Sequence, residues 1–127
     1  MRLTILVVED HPAVRHAIRS WLASSCPDCT VLEAASGEEA LERCAEHRPD
    51  LVLMDINLPG TSGIETTRQI RSTPGAPPVV IVSLYDTEAH RRDATAAGAA
   101  AFVAKDRMGY ELLPVLKRLF APLEKAR

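Results

Sequence analysis

Five side chains capable of chemistry follow short apolar runs in this chain: Glu9 and Asp10 after "LTILVV", Asp55 after "LVLM", Ser83 after "VVIV" and Lys105 after "AFVA". Four apolar residues in a row are what a strand buried on both faces looks like, and a carboxylate at its end is expensive unless something pairs it. Two like charges about 4 Å apart repel by roughly 4 kcal/mol at an effective dielectric near 20, so an acidic cluster either holds protons or binds a cation. Magnesium suits it best, because that ion takes oxygen ligands, keeps several waters and commonly uses one or two carboxylates together with a phosphate. Lys105 is then free to pair with Asp55 or with a phosphoryl oxygen. A carboxylate beside a divalent cation, an amine and a hydroxyl is equipped to become an acyl phosphate, a reaction that asks mainly for positioning and charge neutralisation. Magnesium and Lys105 would neutralise the transferring oxygens, and the Ser83 hydroxyl would donate a hydrogen bond to one of them. No side chain stands out as a dedicated general base.

Bringing these residues together takes strands that end side by side. Residues 3–8, 30–34, 51–54, 79–82 and 101–104 read as five strands, each rich in aliphatic or β-branched residues. Segments of helical character lie between them. Pro12 suits a first helical position, and Val14, Ala17, Ile18, Trp21 and Leu22 then recur with helical spacing. Ser36 with Glu39 forms a capping box opening a second helix that buries Ala40, Leu41, Cys44 and Ala45. Ser62 with Glu65 repeats it, in a helix that stops before Pro74. Residues 87–97 read as an alanine-rich helix of weak apolar face, ended by Gly98, and Leu112, Val115, Leu116 and Leu119 stripe a last one. Pro114 removes a donor, so that helix is expected to start near it or bend there.

Five repeats of strand then helix with short connections argue for an α/β fold, a parallel sheet covered on both faces. In such sheets ligands bind beyond the carboxyl ends of the strands, which is where the five residues fall. The 127 residues suit one domain, and 46% hydrophobic with 25% charged residues is ordinary for a globular protein. A formal net charge of −2 gives no electrostatic reason to expect direct nucleic-acid binding. No apolar run approaches the roughly 18 residues that a membrane span needs, and a cytoplasmic location follows by default. Cys26, Cys29 and Cys44 are odd in number and do not suggest a secreted disulfide framework.

With these residues in place, the chain resembles the receiver domains of two-component response regulators over almost its whole length. "VVEDHPAVR" resembles the acidic pair and first helix start, "LVLMDINLPGTSGIE" the phosphoacceptor strand and its loop, "VVIVSLYD" the hydroxyl strand and "GAAAFVAKD" the lysine strand. Four such motifs in the right order are highly specific. The resemblance implies a flavodoxin-like doubly wound (βα)5 fold, and phosphorylation of Asp55 by a histidine kinase, phosphotransfer protein or small phosphodonor. It assigns magnesium to Asp10, Asp55 and the backbone carbonyl of Asn57, with Glu9 reaching the metal through water. It also implies a switch in which Ser83 moves toward the phosphoryl group and Phe102 turns inward. The implied role is that of a signalling phosphoacceptor with its own phosphotransfer and autodephosphorylation chemistry, not an enzyme with a separate substrate.

"EDHPAVR", and "AKD" with no proline after the lysine, are most similar to the group whose receivers precede a helix-turn-helix DNA-binding domain. Residues 1–127 then form the receiver, with any output domain beyond the tail "APLEKAR", and a homodimer through the helical faces is a further expectation. Ser83 replaces the commoner threonine, Leu84 is bulky where a small residue is usual and narrows access to the site, and Phe102 lacks a tyrosine's hydroxyl. Other readings compete with this one. Cys26 and Cys29 form a C-x-x-C, but they follow a helix and precede a strand, unlike a thioredoxin-like pair, and further zinc ligands are missing nearby. His11 reads as a solvent-facing helix start, and His90, Arg91 and Arg92 as a solvated helix face. An aspartate-nucleophile phosphatase would want a second carboxylate where Asn57 stands. A phosphorylation-independent interaction module would keep the fold and lose the site.

Overall fold

A computed structural model of the chain describes residues 2–125, the side chains of 121–125 excepted. Of the tail "APLEKAR", residues 126 and 127 and the side chains before them therefore lie outside the described residues. Five strands alternate with five helices: β1 Thr4–Val8, α1 Pro12–Ser25, β2 Thr30–Ala34, α2 Gly37–His47, β3 Leu51–Met54, α3 Gly63–Arg71, β4 Val79–Ser83, α4 Glu88–Ala96, β5 Ala101–Ala104 and α5 Met108–Lys125. A single 3₁₀ turn, Lys105–Arg107, joins β5 to α5. All strand pairs are parallel, as the alternation predicts, and the order β2-β1-β3-β4-β5 is the flavodoxin-like doubly wound arrangement that the resemblance implies.

Successive residues of each strand point to opposite faces, and the core divides accordingly. Ile5, Val7, Leu51, Leu53, Val80 and Val82 pack with Ile18 and Leu22 of α1 and with Leu112, Leu116 and Phe120 of α5. Leu6, Val8, Val52, Met54, Val79 and Ile81 pack on the other face with Ala40 of α2, Ile70 of α3 and Ala94 of α4. Burial on both faces is why β1 after Thr4, β3 and β4 up to Ser83 read as unbroken apolar runs rather than alternating ones, whereas the edge strand β2 carries Glu33 and buries only Ala34.

Helix starts follow their caps. Ser36 accepts a hydrogen bond from the Glu39 N–H at 3.1 Å, Ser62 from the Glu65 N–H at 3.2 Å and Thr87 from the His90 N–H at 3.1 Å. Gly98, at φ +99°, follows the end of α4 in a conformation that side-chain-bearing residues avoid.

Four local expectations are corrected. The apolar stripe of α1 is narrower than its spacing suggests, since Ala17 is exposed, and Ala45 on α2 is exposed too. Alanine is small enough to sit at the margin of a buried face without being covered. Helix α5 does not start near Pro114; it begins at Met108 and runs through the proline. Pro114 and Tyr110, whose carbonyl loses its i+4 donor, are both exposed, so that carbonyl lies on the face open to water. Cys26 and Cys29 are joined in a disulfide with their Cα atoms 5.5 Å apart, a pairing that an odd cysteine count disguised. Cys44 is a free, half-buried thiol.

Because Leu116 is fully buried where α5 meets the sheet, we expect Leu116→Ala to lower unfolding free energy in urea by about 2–5 kcal/mol.

Candidate functional site

Strand register builds the site. Val8 of β1 lies opposite both Ala34 of β2 and Met54 of β3, so the residues following β1 and β3 leave the sheet side by side. The ladder is extended by one step, with the Glu9 N–H donating to the Ala34 carbonyl at 3.0 Å and the Asp55 N–H to the Val8 carbonyl at 3.1 Å. Ser83 closes β4 opposite Ala104, and Lys105 is the next residue of the chain. The point between β1 and β3, where the strand order changes direction, is where this fold class binds ligands.

Carboxylate oxygens of Glu9, Asp10 and Asp55 all lie within 4.8 Å of one another. Glu9 is 1% and Asp55 8% exposed, while Asp10 is half-buried. The Lys105 ammonium answers this charge. It is hydrogen-bonded to Glu9 Oε1 and lies 3.4 Å from Asp55 Oδ1. Sequence reasoning paired Lys105 with Asp55 first; the tighter partner is Glu9, the more deeply buried carboxylate and so the one most in need of a counter-charge. The other Glu9 oxygen accepts from the His11 N–H at 3.2 Å. Burial raises the Asp55 pKa above its ordinary value; Lys105 opposes that rise, Glu9 adds to it, and the Ile56 N–H opposes it again.

Three close carboxylates and a single shared ammonium make a set of hard oxygen donors with negative charge in excess, which fits magnesium. Glu9, Asp10 and Asp55 are the side chains able to hold it, and Asn57, exposed in the loop after β3, is two residues beyond Asp55.

Ser83 is fully buried, and its hydroxyl accepts from the Tyr85 N–H at 3.0 Å, tying the strand end to the loop before α4. Leu84, next to Ser83 in the chain, stands 70% exposed at the start of that loop. Phe102 is half-buried on β5 under the Arg91 guanidinium, whose carbon lies 4.7 Å from the ring centroid. The Asp86 carboxylate holds that guanidinium at 2.5 Å. Arg91 and Arg92 are both exposed, as the sequence suggested, and so is His11, while His90 is half-buried; Arg91 in addition covers the Phe102 ring.

One positioning residue escaped the sequence. A Cβ added at Gly63 would lie 1.9 Å from the Asp55 backbone oxygen, and the Gly63 N–H donates to the Ile56 carbonyl at 2.9 Å. Glycine therefore lets the first turn of α3 press against the backbone that carries Asp55. The only signal was a glycine directly after the Ser62 cap.

Residues 5–117 match the family described as the response regulator receiver domain. The chain is 38% identical over 117 residues to the transcriptional activator protein ExaE of Pseudomonas putida, covering 92% of this chain and 55% of that protein. It superimposes with a TM-score of 0.87 on a LuxR-family two-component response regulator from Aurantimonas sp. SI85-9A1, 36% identical, covering 96% of this chain and 87% of that one. The BeF3-activated N-terminal receiver domain of Klebsiella pneumoniae RstA gives a TM-score of 0.82 at 32% identity, covering 90% of this chain and 95% of that one. The chain spans about half the length of the curated relatives it matches.

Two stability measurements follow from this geometry. Gly63→Ala forces the Asp55 backbone and α3 apart, and we expect it to cost about 1–3 kcal/mol in urea unfolding. A carboxyl whose folded pKa is raised contributes stability below its unfolded pKa and loses it as pH rises through the folded value. We therefore expect Asp55→Asn to melt higher than wild type at neutral pH in metal-free buffer, with the gap closing as pH falls below the ordinary carboxylate range.

Proposed function

The chain belongs to the receiver domains of response regulators, and from that membership we propose that Asp55 accepts a phosphoryl group from a histidine kinase or phosphotransfer protein in a magnesium-dependent reaction. The observation that carries this reading is the cluster of Glu9, Asp10 and Asp55 oxygens within 4.8 Å of one another, with the Lys105 amine 3.4 Å from Asp55. A carboxylate oxygen of Asp55 forms the new bond to phosphorus as the donor's bond to phosphorus breaks, and the donor leaves with the electron pair. An ionised carboxylate needs no base to activate it, consistent with the lack of a dedicated one. Asp10, Asp55 and the Asn57 carbonyl, with Glu9 in support, would hold magnesium, which when bound would neutralise charge on the phosphoryl oxygens. Lys105 shares that task, drawn from its bond with Glu9 toward a phosphoryl oxygen, and the Ser83 hydroxyl donates to another.

Phosphorylation adds charge and acceptor oxygens at the strand edge, which biases any neighbouring element that has two arrangements. Ser83 and the loop it holds through Tyr85 are the first such element. Phe102, under Arg91, is the second, turning inward as the loop moves. The relative ExaE is named a transcriptional activator, and transcription regulation through a DNA-binding output domain is the function we assign to the whole protein. In that role the receiver binds no nucleic acid itself, acts in the cytoplasm and pairs with a second copy through its helical faces. Among the described residues no helix is long and apolar enough to cross a membrane.

Intact mass after incubation with acetyl phosphate and magnesium tests this reading. We expect a gain of one phosphoryl group that is lost when magnesium is chelated and absent in Asp55→Asn. A folded wild-type protein left unmodified by both acetyl phosphate and a phosphohistidine donor would instead favour an interaction module on the same fold.

A further inference from the structure

The Asp10 carboxylate is half-buried and, among the described residues, makes no ion pair or hydrogen bond with another side chain or backbone group. Its place in the acidic cluster is therefore set by its backbone. That backbone lies just past the end of β1, where pairing with β2 has closed with Val8 opposite Ala34 and the Glu9 carbonyl has run out of ladder. One side chain takes over. Arg15 Nη1 donates to the Glu9 carbonyl at 2.9 Å, and the same guanidinium is held from the other side by Glu33 of β2, whose Oε1 accepts from Arg15 Nε at 2.9 Å. The second Glu33 oxygen accepts from Arg19 Nη1 at 2.6 Å, one turn further along α1.

The bracket ties three segments together: helix α1, strand β2 and the Glu9–Asp10 peptide. It is not a loose surface pair, since the Arg15 side chain is 17% and that of Glu33 23% exposed. The planar fork of arginine lets one side chain serve a carbonyl and a carboxylate at fixed geometry, which a lysine ammonium on a flexible stem does not do.

We infer that Arg15 is a positioning residue for the divalent-cation site, acting through the Glu9–Asp10 peptide to hold the Asp10 carboxylate beside Asp55. The inference rests on the cation reading of the acidic cluster. Arg15 belongs to no part of that cluster and touches none of its carboxylates; its effect is carried by the backbone.

The sign of the effect separates this role from the alternatives. An arginine near a cation repels it, so electrostatics alone predicts that removing the charge tightens magnesium binding. A structural role alone lowers melting temperature and leaves affinity untouched in the folded protein. Positioning predicts weaker binding. Partners of metal ligands typically contribute 10- to 100-fold in affinity.

The test is calorimetric titration of the intact chain with magnesium chloride, at a temperature where circular dichroism shows every variant folded. We expect the dissociation constant to rise about tenfold in both Arg15→Met, which keeps the apolar stem, and Arg15→Lys, which keeps the charge. Saturating magnesium should restore the maximal rate of phosphorylation by acetyl phosphate in both. Should Arg15→Met fold poorly, Glu33→Gln loosens the bracket from its far side and is expected to weaken binding in the same direction. Unchanged or tighter binding in a folded Arg15 variant, beside a wild type that binds, overturns the role of Arg15 alone. A wild type that takes up no magnesium overturns the cation reading and this inference with it.

Discussion

Two buried carboxylates share one ammonium at the carboxyl edge of the sheet, and the rest of the site depends on that imbalance. Lys105 is bonded to Glu9 and lies 3.4 Å from Asp55, with Asp10 close enough to bring a third negative charge to the cluster. Burial and the neighbouring Glu9 both make ionised Asp55 more costly than a solvated carboxylate, against the pull of Lys105. Anything that brings positive charge or takes up negative charge here is bound by relief of that cost. A divalent cation would do the first. On the proposed reading, transfer of a phosphoryl group to Asp55 would add charge and acceptor oxygens there and give Lys105 and Ser83 something new to hold.

The register of the sheet permits that crowding. Parallel pairing of β1 with β3 sets Val8 beside Met54, so Glu9 and Asp55 emerge together, and β5 delivers Lys105 from two strands away. Packing on both faces leaves these strands no freedom to slip, because a one-residue shift would exchange the side chains fitted to one core face with those fitted to the other. Close approach finishes the arrangement: Gly63 admits α3 against the Asp55 carbonyl, and Arg15 ties α1 and β2 to the peptide before Asp10. Away from this rigid edge, the connection from Ser83 to α4 is exposed from Leu84 to Thr87, as are the first two residues of α4, and α4 buries only Ala94 within its span. A local change at Asp55 therefore has a lightly packed neighbour to act on.

The strands, their order of appearance and the capping serines were legible in the sequence because each rests on local chemistry: apolar runs of four to five residues, Ser36 and Ser62 three residues before a glutamate, Gly98 after a helix. The candidate site was legible for a related reason. Strand ends in a parallel sheet fall on one edge, so the residues after each run could be gathered without coordinates. What stayed hidden depends on contacts between distant segments. The preference of Lys105 for Glu9 follows from relative burial, the role of Gly63 from helix-to-backbone distance, and the Arg91 contact with Phe102 from how α4 lies over β5. Pro114 left two outcomes open, a start or a bend, and the contact that excludes a start is not local: a proline on an exposed face leaves the freed carbonyl to water and the helix continues.

The most direct measurement of the central claim is to trap the acyl phosphate chemically and locate it. Protein treated with acetyl phosphate and magnesium would be reduced with borohydride, which converts a phosphorylated aspartate to homoserine, and the digested peptides sequenced by mass spectrometry. The account requires homoserine at position 55 and nowhere else. Homoserine at position 10, or reduction spread over exposed aspartates with position 55 intact, would contradict it.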